Sequence, residues 1–237
     1  MKLLLLIASF TFLNHYSAQT LVFNNPDFLS AVLKKHPEVD INKDGKIQKN
    51  EADKVQELNL MEQNLKDAQD VNNFKNLEKL ILSMNEIEEI KLDDFKYLTR
   101  LYCAKNHLKK MEISNMPKLS YLACGVNQLT EITIKNCPNI VSLNIMDNQI
   151  KSINLTAFKK LEVLSADRNK LEKLDFSNNP ELIQIVIDEN NITSIDITKN
   201  PKLKMNILYI DKNVKIIGTE EQMSNYKPTE KMETLGN

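Results

Sequence analysis

The chain has 237 residues, 42% of them hydrophobic and 27% charged, with 31 basic and 32 acidic side chains for a formal net charge of -1. Such a composition supports a folded core, and the even charge balance gives no electrostatic reason for a nucleic-acid partner or an anionic membrane surface. Four glycines and no tryptophan argue against glycine-rich phosphate loops as an organising feature.

The first segment has the pattern of a signal peptide. Met1 and Lys2 give a short positive start, Leu3 to Leu13 is an apolar stretch broken only by Ser9 and Thr11, and Asn14 to Ala18 is polar or small. Removal after residue 18 is expected. A stretch of eleven residues is too short to span a bilayer, so the mature chain is expected to carry no transmembrane segment and to be exported to the periplasm, the cell surface or the medium.

Pro26 to His36 follows with Phe28, Leu29, Val32 and Leu33 on one face, which predicts a helix. Next comes Asp40-Ile41-Asn42-Lys43-Asp44-Gly45-Lys46-Ile47-Gln48-Lys49-Asn50-Glu51. Calcium is a hard cation that takes six to eight oxygens, and a twelve-residue loop with oxygens at alternate positions wraps it. Asp40, Asn42 and Asp44 would each give a side-chain oxygen, Lys46 its backbone carbonyl, Gln48 an oxygen directly or through water, and Glu51 both carboxylate oxygens. Gly45 permits the sharp turn and Ile47 points to the core. This segment resembles an EF-hand loop, which implies a bound Ca²⁺; the other reading is a polar Asx-rich turn without an ion. Only Asn50 to about Lys54 remains for the outgoing helix, and the second hand of a pair is missing. Both features favour a fixed structural ion over a calcium sensor, with affinity of about 10⁻⁴ M.

From Val55 the chain repeats. Leu or Ile recurs every 21 residues at Leu77, Leu98, Leu119, Ile140, Leu161, Leu182 and Leu203. Three positions on stand Leu80, Leu101, Leu122, Leu143, Leu164 and Ile185, and two beyond those Leu82, Cys103, Cys124, Ile145, Ala166 and Ile187. Asparagine then falls at Asn85, Asn106, Asn127, Asn148, Asn169 and Asn190. Apolar residues two apart face one side of a strand, so each repeat predicts a strand with its apolar residues turned into a coil. The asparagine amide follows, placed to bond backbone groups of neighbouring coils. Twenty-one residues leave no room for a full return helix, so the convex side should be extended or irregular. A lone coil buries too little to fold, hence the stack.

This pattern resembles the leucine-rich-repeat family, in particular the 21-residue class of bacterial internalin-like proteins. The resemblance implies a mainly β fold of the α/β repeat class: a right-handed solenoid with a parallel concave sheet, capped at its N-terminus by the helix and calcium loop. The organisation expected is 1-18 signal peptide, 19-54 helix-loop cap, 55-213 solenoid of about seven to eight coils, and 214-237 C-terminal cap and polar tail. Val55, Leu58 and Leu60 fit a first coil of 22 residues with Gln63 or Asn64 at the asparagine place, while Met205, Leu208, Ile210 and Asn213 fit a last coil shifted by two. Some family members carry a cysteine ladder at the position of Cys103 and Cys124. With Cys137, these read as free buried thiols or, alternatively, as a Cys103–Cys124 disulfide.

Outward strand positions would line the concave face. Arg100, Tyr102 and Tyr121 cluster on adjacent coils beside Ala104, Ala123 and Gly125, with Asn144 and Met146 on the next coil. Asp147, Asp167, Asp188 and Glu189 make an acidic stretch beyond them. Tyr and Arg are enriched at interface hot spots. A protein ligand on the concave face of a monomer is therefore expected, with a calcium-dependent adhesin or host-interaction protein as the alternative. His36 and His107 have no nucleophile at a recognisable spacing, so no enzyme is expected.

Overall fold

The computed structural model describes residues 19–226, so the expected signal peptide, 1-18, and the last eleven residues lie outside the described residues. In chain order the helices are α1 (Pro26–Lys35), α2 (Lys49–Ala52) and α3 (Glu220–Ser224). The strands are β1 (Glu57–Asn59), β2 (Lys79–Ile81), β3 (Glu89–Asp93), β4 (Arg100–Tyr102), β5 (Lys110–Ser114), β6 (Tyr121–Ala123) and β7 (Ile132–Lys135). They continue with β8 (Ser142–Asn144), β9 (Val163–Ser165), β10 (Gln184–Val186), β11 (Ser194–Asp196), β12 (Leu208–Tyr209) and β13 (Lys215–Ile217).

Eight strands form one parallel sheet in the order β1-β2-β4-β6-β8-β9-β10-β12, each coil giving one short strand. Its register is that of the repeat: Leu80 pairs Leu101, Leu122 pairs Leu143, and Leu164 pairs Ile185. Leu58, Leu80, Leu101, Leu122, Leu143, Leu164, Ile185 and Leu208 are all 0% exposed. The fold is a mainly β parallel-sheet solenoid of about eight turns. The return side is extended in part, as β3-β5-β7 and as the pair β11-β13, and irregular in the coils between them.

Each asparagine is a rung. Asn106 Nδ2 donates to the Leu82 carbonyl of the preceding coil at 3.0 Å and to its own coil's Cys103 carbonyl at 3.1 Å. Its Oδ1 accepts from the Ile87 N–H at 3.1 Å. Asn127, Asn148 and Asn169 repeat the arrangement. The residue ahead of each asparagine turns the chain inward with positive φ, from Met84 (59°) through Val126 (57°) to Glu189 (56°).

In the first coil Glu62 takes that positive φ (57°), so Gln63 stands at the asparagine place, its Nε2 donating to the Met61 carbonyl at 2.9 Å. Asn64, with φ 54°, is the extra residue. The last coil departs from expectation. Leu208 pairs in register with Ile185, but Asn213 is exposed, and Asp211 Oδ2 accepts from the Asn190 N–H at 3.4 Å instead. The chain turns out at residues 211–214 to enter β13 and leaves Asn213 beyond reach of the ladder.

Two caps close the stack. At the N-terminus Asn25 caps α1 by accepting from the Asp27 and Phe28 N–H groups, and buried Asp70 accepts from the Asn25 N–H at 2.7 Å. Phe23, Phe28 and Phe74 pack together with centroids 6.0–6.5 Å apart. His36 seals the outer edge of β1: its Nε2 accepts from the Asn59 N–H at 2.9 Å and lies 3.2 Å from the Asn59 carbonyl, while Nδ1 faces Glu38 at 3.0 Å. His36→Ala is expected to cost about 1–2 kcal/mol, the loss of one net edge hydrogen bond and its packing. An unchanged urea midpoint would show that the imidazole does not hold the cap to the sheet.

At the C-terminus a second ladder appears that the repeat pattern does not announce. Asn179 Nδ2 donates to the Leu155 and Phe158 carbonyls, and Asn200 Nδ2 to the Phe176 and Asn179 carbonyls, at 2.8–3.0 Å. Gln222 of α3 supplies the third rung, donating to the Ile197 and Asn200 carbonyls at 2.9 and 3.1 Å. Within the segment 214-237, expected to be a C-terminal cap and polar tail, Glu220–Ser224 is thus a helix. It begins with a Thr219/Gln222 capping box and closes the last coil.

Candidate functional site

Two groups of residues are candidates, one in the N-terminal cap and one on the concave sheet.

In the loop five of the six expected donor residues, Asp40, Asn42, Asp44, Gln48 and Glu51, join one self-bonded turn through their side chains. Asp40 accepts from the Asp44 and Gly45 N–H groups at 3.1 and 2.8 Å, and Asp44 Oδ1 accepts from the Lys46 N–H at 2.8 Å. The Asn42 and Gln48 amides both donate to Asp44 Oδ2, at 3.1 and 3.0 Å. Glu51 is 3% exposed and ties the two ends of the loop, Oε1 accepting from Ile41 N–H and Oε2 from Gln48 N–H. Ile47 is 0% exposed, as the pattern requires, and Gly45 has φ 78°. The Asp44 carboxyl is held below its usual range, first by the Lys46 N–H. Residues 19–21 clamp the loop, with a Leu21 N–H to Ile47 carbonyl bond of 2.9 Å and Lys49 N–H to Gln19 carbonyl of 2.8 Å. The outgoing helix is the single turn α2, which matches the truncation expected of it.

These residues fit a hard cation in kind. Asp40, Asp44 and Glu51 supply charge, and Asn42, Gln48 and the Lys46 carbonyl supply neutral oxygens. The amides of Asn42 and Gln48 present N–H to Asp44, where a half-turn of each would present oxygen instead. Among the described residues no group of three or more His, Cys, Asp or Glu side chains is placed to hold a metal ion.

On the concave face the outward positions are where the two-residue alternation puts them. Arg100 is exposed, and Tyr102 and Tyr121 are half-buried with ring centroids 5.0 Å apart and planes tilted by 36°. The pair forms because β4 and β6 place Arg100 opposite Tyr121 and Tyr102 opposite Ala123, leaving the two rings on a diagonal. Asn144 and Met146 join them by leaning over Gly125. A Cβ at Gly125 would lie 2.9 Å from both Asn144 Oδ1 and Met146 Cγ, so any larger residue would push these side chains away. Met84 and Val126, each 37% exposed, flank the cluster on the same rim.

Asp167 stands apart from the tyrosines, toward the C-terminal coils, and is only 5% exposed. It is bound by Arg168, which the sequence reading did not single out. Arg168 Nη1 lies 2.7 Å from Asp167 Oδ2, while Nε and Nη2 grip both oxygens of Asp147 at 2.6 and 2.8 Å. Burial pushes the Asp167 carboxyl up, Arg168 opposes that, and Asp188 and Asp147 add to it. Same-sign residues at neighbouring positions of successive coils were the available signal. That one arginine bridges two of them follows only from their stacking.

Cys103, Cys124 and Cys137 are free and buried. The disulfide alternative is not realised. The hydrogen bond with the neighbouring Cys124 sulfur, then burial, raise the Cys103 thiol well above its usual range.

The stacked L-x-x-L-x-L coils, the asparagine rungs and the parallel concave sheet define a leucine-rich-repeat solenoid. No family model matches the chain, and no curated protein sequence does. Solved structures share its fold. A leucine-rich-repeat protein of Leptospira interrogans is 18% identical over 76% of this chain and 49% of that one, with TM-score 0.62. The leucine-rich-repeat domain of a Shigella effector is 22% identical over 82% of this chain and 80% of that one, with TM-score 0.57. YopM from Yersinia enterocolitica is 22% identical over 68% of this chain and 34% of that one, with TM-score 0.52. The chain thus spans about half the length of the Leptospira protein and about a third of YopM. At these identities the likeness is one of fold.

Proposed function

We propose that this chain is an exported protein-binding module that engages its ligand through the concave face of the solenoid, with one structural calcium ion stiffening the N-terminal cap. The observation that carries the binding role is the Tyr102–Tyr121 pair beside exposed Arg100. It lies on a sheet floor kept low by Ala123 and Gly125, where Asn144 and Met146 extend the surface toward the next coil. Two rigid amphipathic rings and a guanidinium present a large contact area at small entropic cost. Strands hold all of them, so the surface is preorganised. The calcium role is supported by the convergence of Asp40, Asn42, Asp44, Gln48 and Glu51, and a fixed ion suits a loop whose outgoing helix is one turn long. Export rests on the pattern of residues 1–18. No helix among the described residues is long and apolar enough to cross a membrane.

The binding reading is tested by capture from the envelope fraction of the producing cell, with the wild type set against Arg100→Ala/Tyr102→Ala/Tyr121→Ala. The variant is expected to weaken retention of a captured protein by about 100-fold or more, as the loss of two hot-spot side chains would. Equal retention by both would move the site off the concave face. Folding of the variant is checked by its thermal midpoint, since all three residues are at least partly exposed.

A further inference from the structure

The concave face is polarised along the solenoid. On the coils of β2, β4 and β6 its outward charges are Lys79, Arg100 and Lys105, with the tyrosine pair among them, and Lys79 is already paired with Glu57 at 2.8 Å. On the coils of β8, β9 and β10 they are Asp147, Asp167, Asp188 and Glu189 against one cation, Arg168. Two of those carboxylates, Asp147 and Asp167, hold that one guanidinium, and Asp188 acts on Asp167 from the next coil. Two of its sides are taken by Asp147 and a third contact by Asp167. Asp167 and Asp188 stand at the same position of adjacent coils. Like charges stacked this way repel, and a further cation would relieve them.

The apolar half shows a complementary anomaly. Met84 and Val126 hold positive φ of 59° and 57° at the position where other coils carry Lys105, Asp147, Arg168 and Glu189. A β-branched residue such as Val126 is strained in this region, and Asn or Gly would sit there more easily. Here an apolar side chain is kept in that conformation and faces solvent beside Tyr102 and Tyr121, an arrangement that gains from being covered.

We infer that the ligand of this face is an extended segment whose large apolar or aromatic side chain rests on Tyr102, Tyr121 and Val126 and whose Lys or Arg, three or four residues away, enters the acidic coils between Asp167 and Asp188. The spacing follows from geometry. Strands lie about 4.8 Å apart, so Asp167 and Asp188, one repeat position from that of Val126, sit two and three strands beyond it, about 10–14 Å, which an extended chain at about 3.3 Å per residue covers in three or four steps. Arg100 and Lys105 repel a basic residue at the other end and so set the orientation.

This inference rests on the concave-face reading, and the test separates the two. A phage-displayed random dodecamer library is selected on the wild type, and enriched clones are rebound to Tyr102→Ala/Tyr121→Ala, to Asp167→Asn and to Asp188→Asn. Asp188→Asn guards against a folding defect from altering buried Asp167. The expected result is enrichment of an apolar or aromatic residue with Lys or Arg three or four positions away. Binding should fall about tenfold or more on each aspartate variant, and this loss should shrink in high salt. Clones that lose binding on the tyrosine variant but carry no basic residue, or ignore both aspartate variants, would overturn this inference and leave the concave site standing. Clones indifferent to all the variants, or no enrichment at all, would overturn both.

Discussion

Asn106→Ala is expected to destabilise the solenoid by about 3–5 kcal/mol. Asn106 is 6% exposed and stands between two coils. Removing it leaves the Ile87 N–H without its acceptor, a buried unmet group that costs about 1–3 kcal/mol, and takes one donor each from the Leu82 and Cys103 carbonyls, which keep Asn85 and Asn127, at about 1 kcal/mol per lost bond. Partial entry of water keeps the sum below its maximum. The cost also propagates, because each coil is stable only through its neighbours and a broken rung uncouples the coils of β2 and β4. The control is next door. His107 is exposed and follows the rung, so His107→Ala should change stability by less than about 0.5 kcal/mol. Chemical denaturation of the pair measures the difference. If the two variants unfold together, the rungs are not what joins the coils.

Calcium should raise the melting temperature by about 5–10 °C. With a dissociation constant of about 10⁻⁴ M, 10 mM calcium is on the order of 100 times that value and stabilises by about 2.7 kcal/mol. For a chain of this size each kcal/mol is worth about 2–4 °C. The double variant Asp40→Asn/Asp44→Asn keeps side-chain acceptors for the Gly45 and Lys46 N–H groups, so the loop's turn survives while two of three carboxylates are neutralised. It should lose the calcium response and nearly keep the melting temperature measured in chelator. Glu51 is unsuitable for this purpose, because it also accepts from Ile41, Asn42 and Gln48 N–H groups and its loss would unfasten the loop with or without an ion. A response of equal size in wild type and variant would place the ion elsewhere. No response in the wild type would make the segment a self-bonded polar turn.

The two predictions bear on one molecule whose parts depend on each other in series. The cap packs on β1 through Phe28, Phe74 and His36, and the concave residues are held by strands that each lean on the preceding coil. Stiffening the first coil therefore supports the binding surface on β4 and β6 without touching it.

The sequence by itself determined the repeat, and with it the solenoid, the parallel pairing, the inward leucines and the outward places of Arg100, Tyr102 and Tyr121. A strict 21-residue period with apolar residues two apart admits one way of turning its side chains. It also determined the positions of the loop donors, because ligand spacing in a short loop is a local property. What only the tertiary structure decided depends on distances between residues a coil or more apart. Arg168 bridges Asp147 and Asp167 because neighbouring coils place their rims within one side chain's reach. Asn144 and Met146 reach the tyrosine surface because Gly125 lacks a Cβ to stop them. His36 caps a strand 23 residues away, and Gln222 of α3 completes a ladder begun at Asn179, although neither belongs to the repeat. A period shows itself through repetition, whereas a cap occurs once and is recognisable only by the backbone groups it satisfies. Asn213 makes the same point in reverse: it fits the motif's spacing, but the turn at residues 211–214 carries it into solvent, and Asp211 takes the bond.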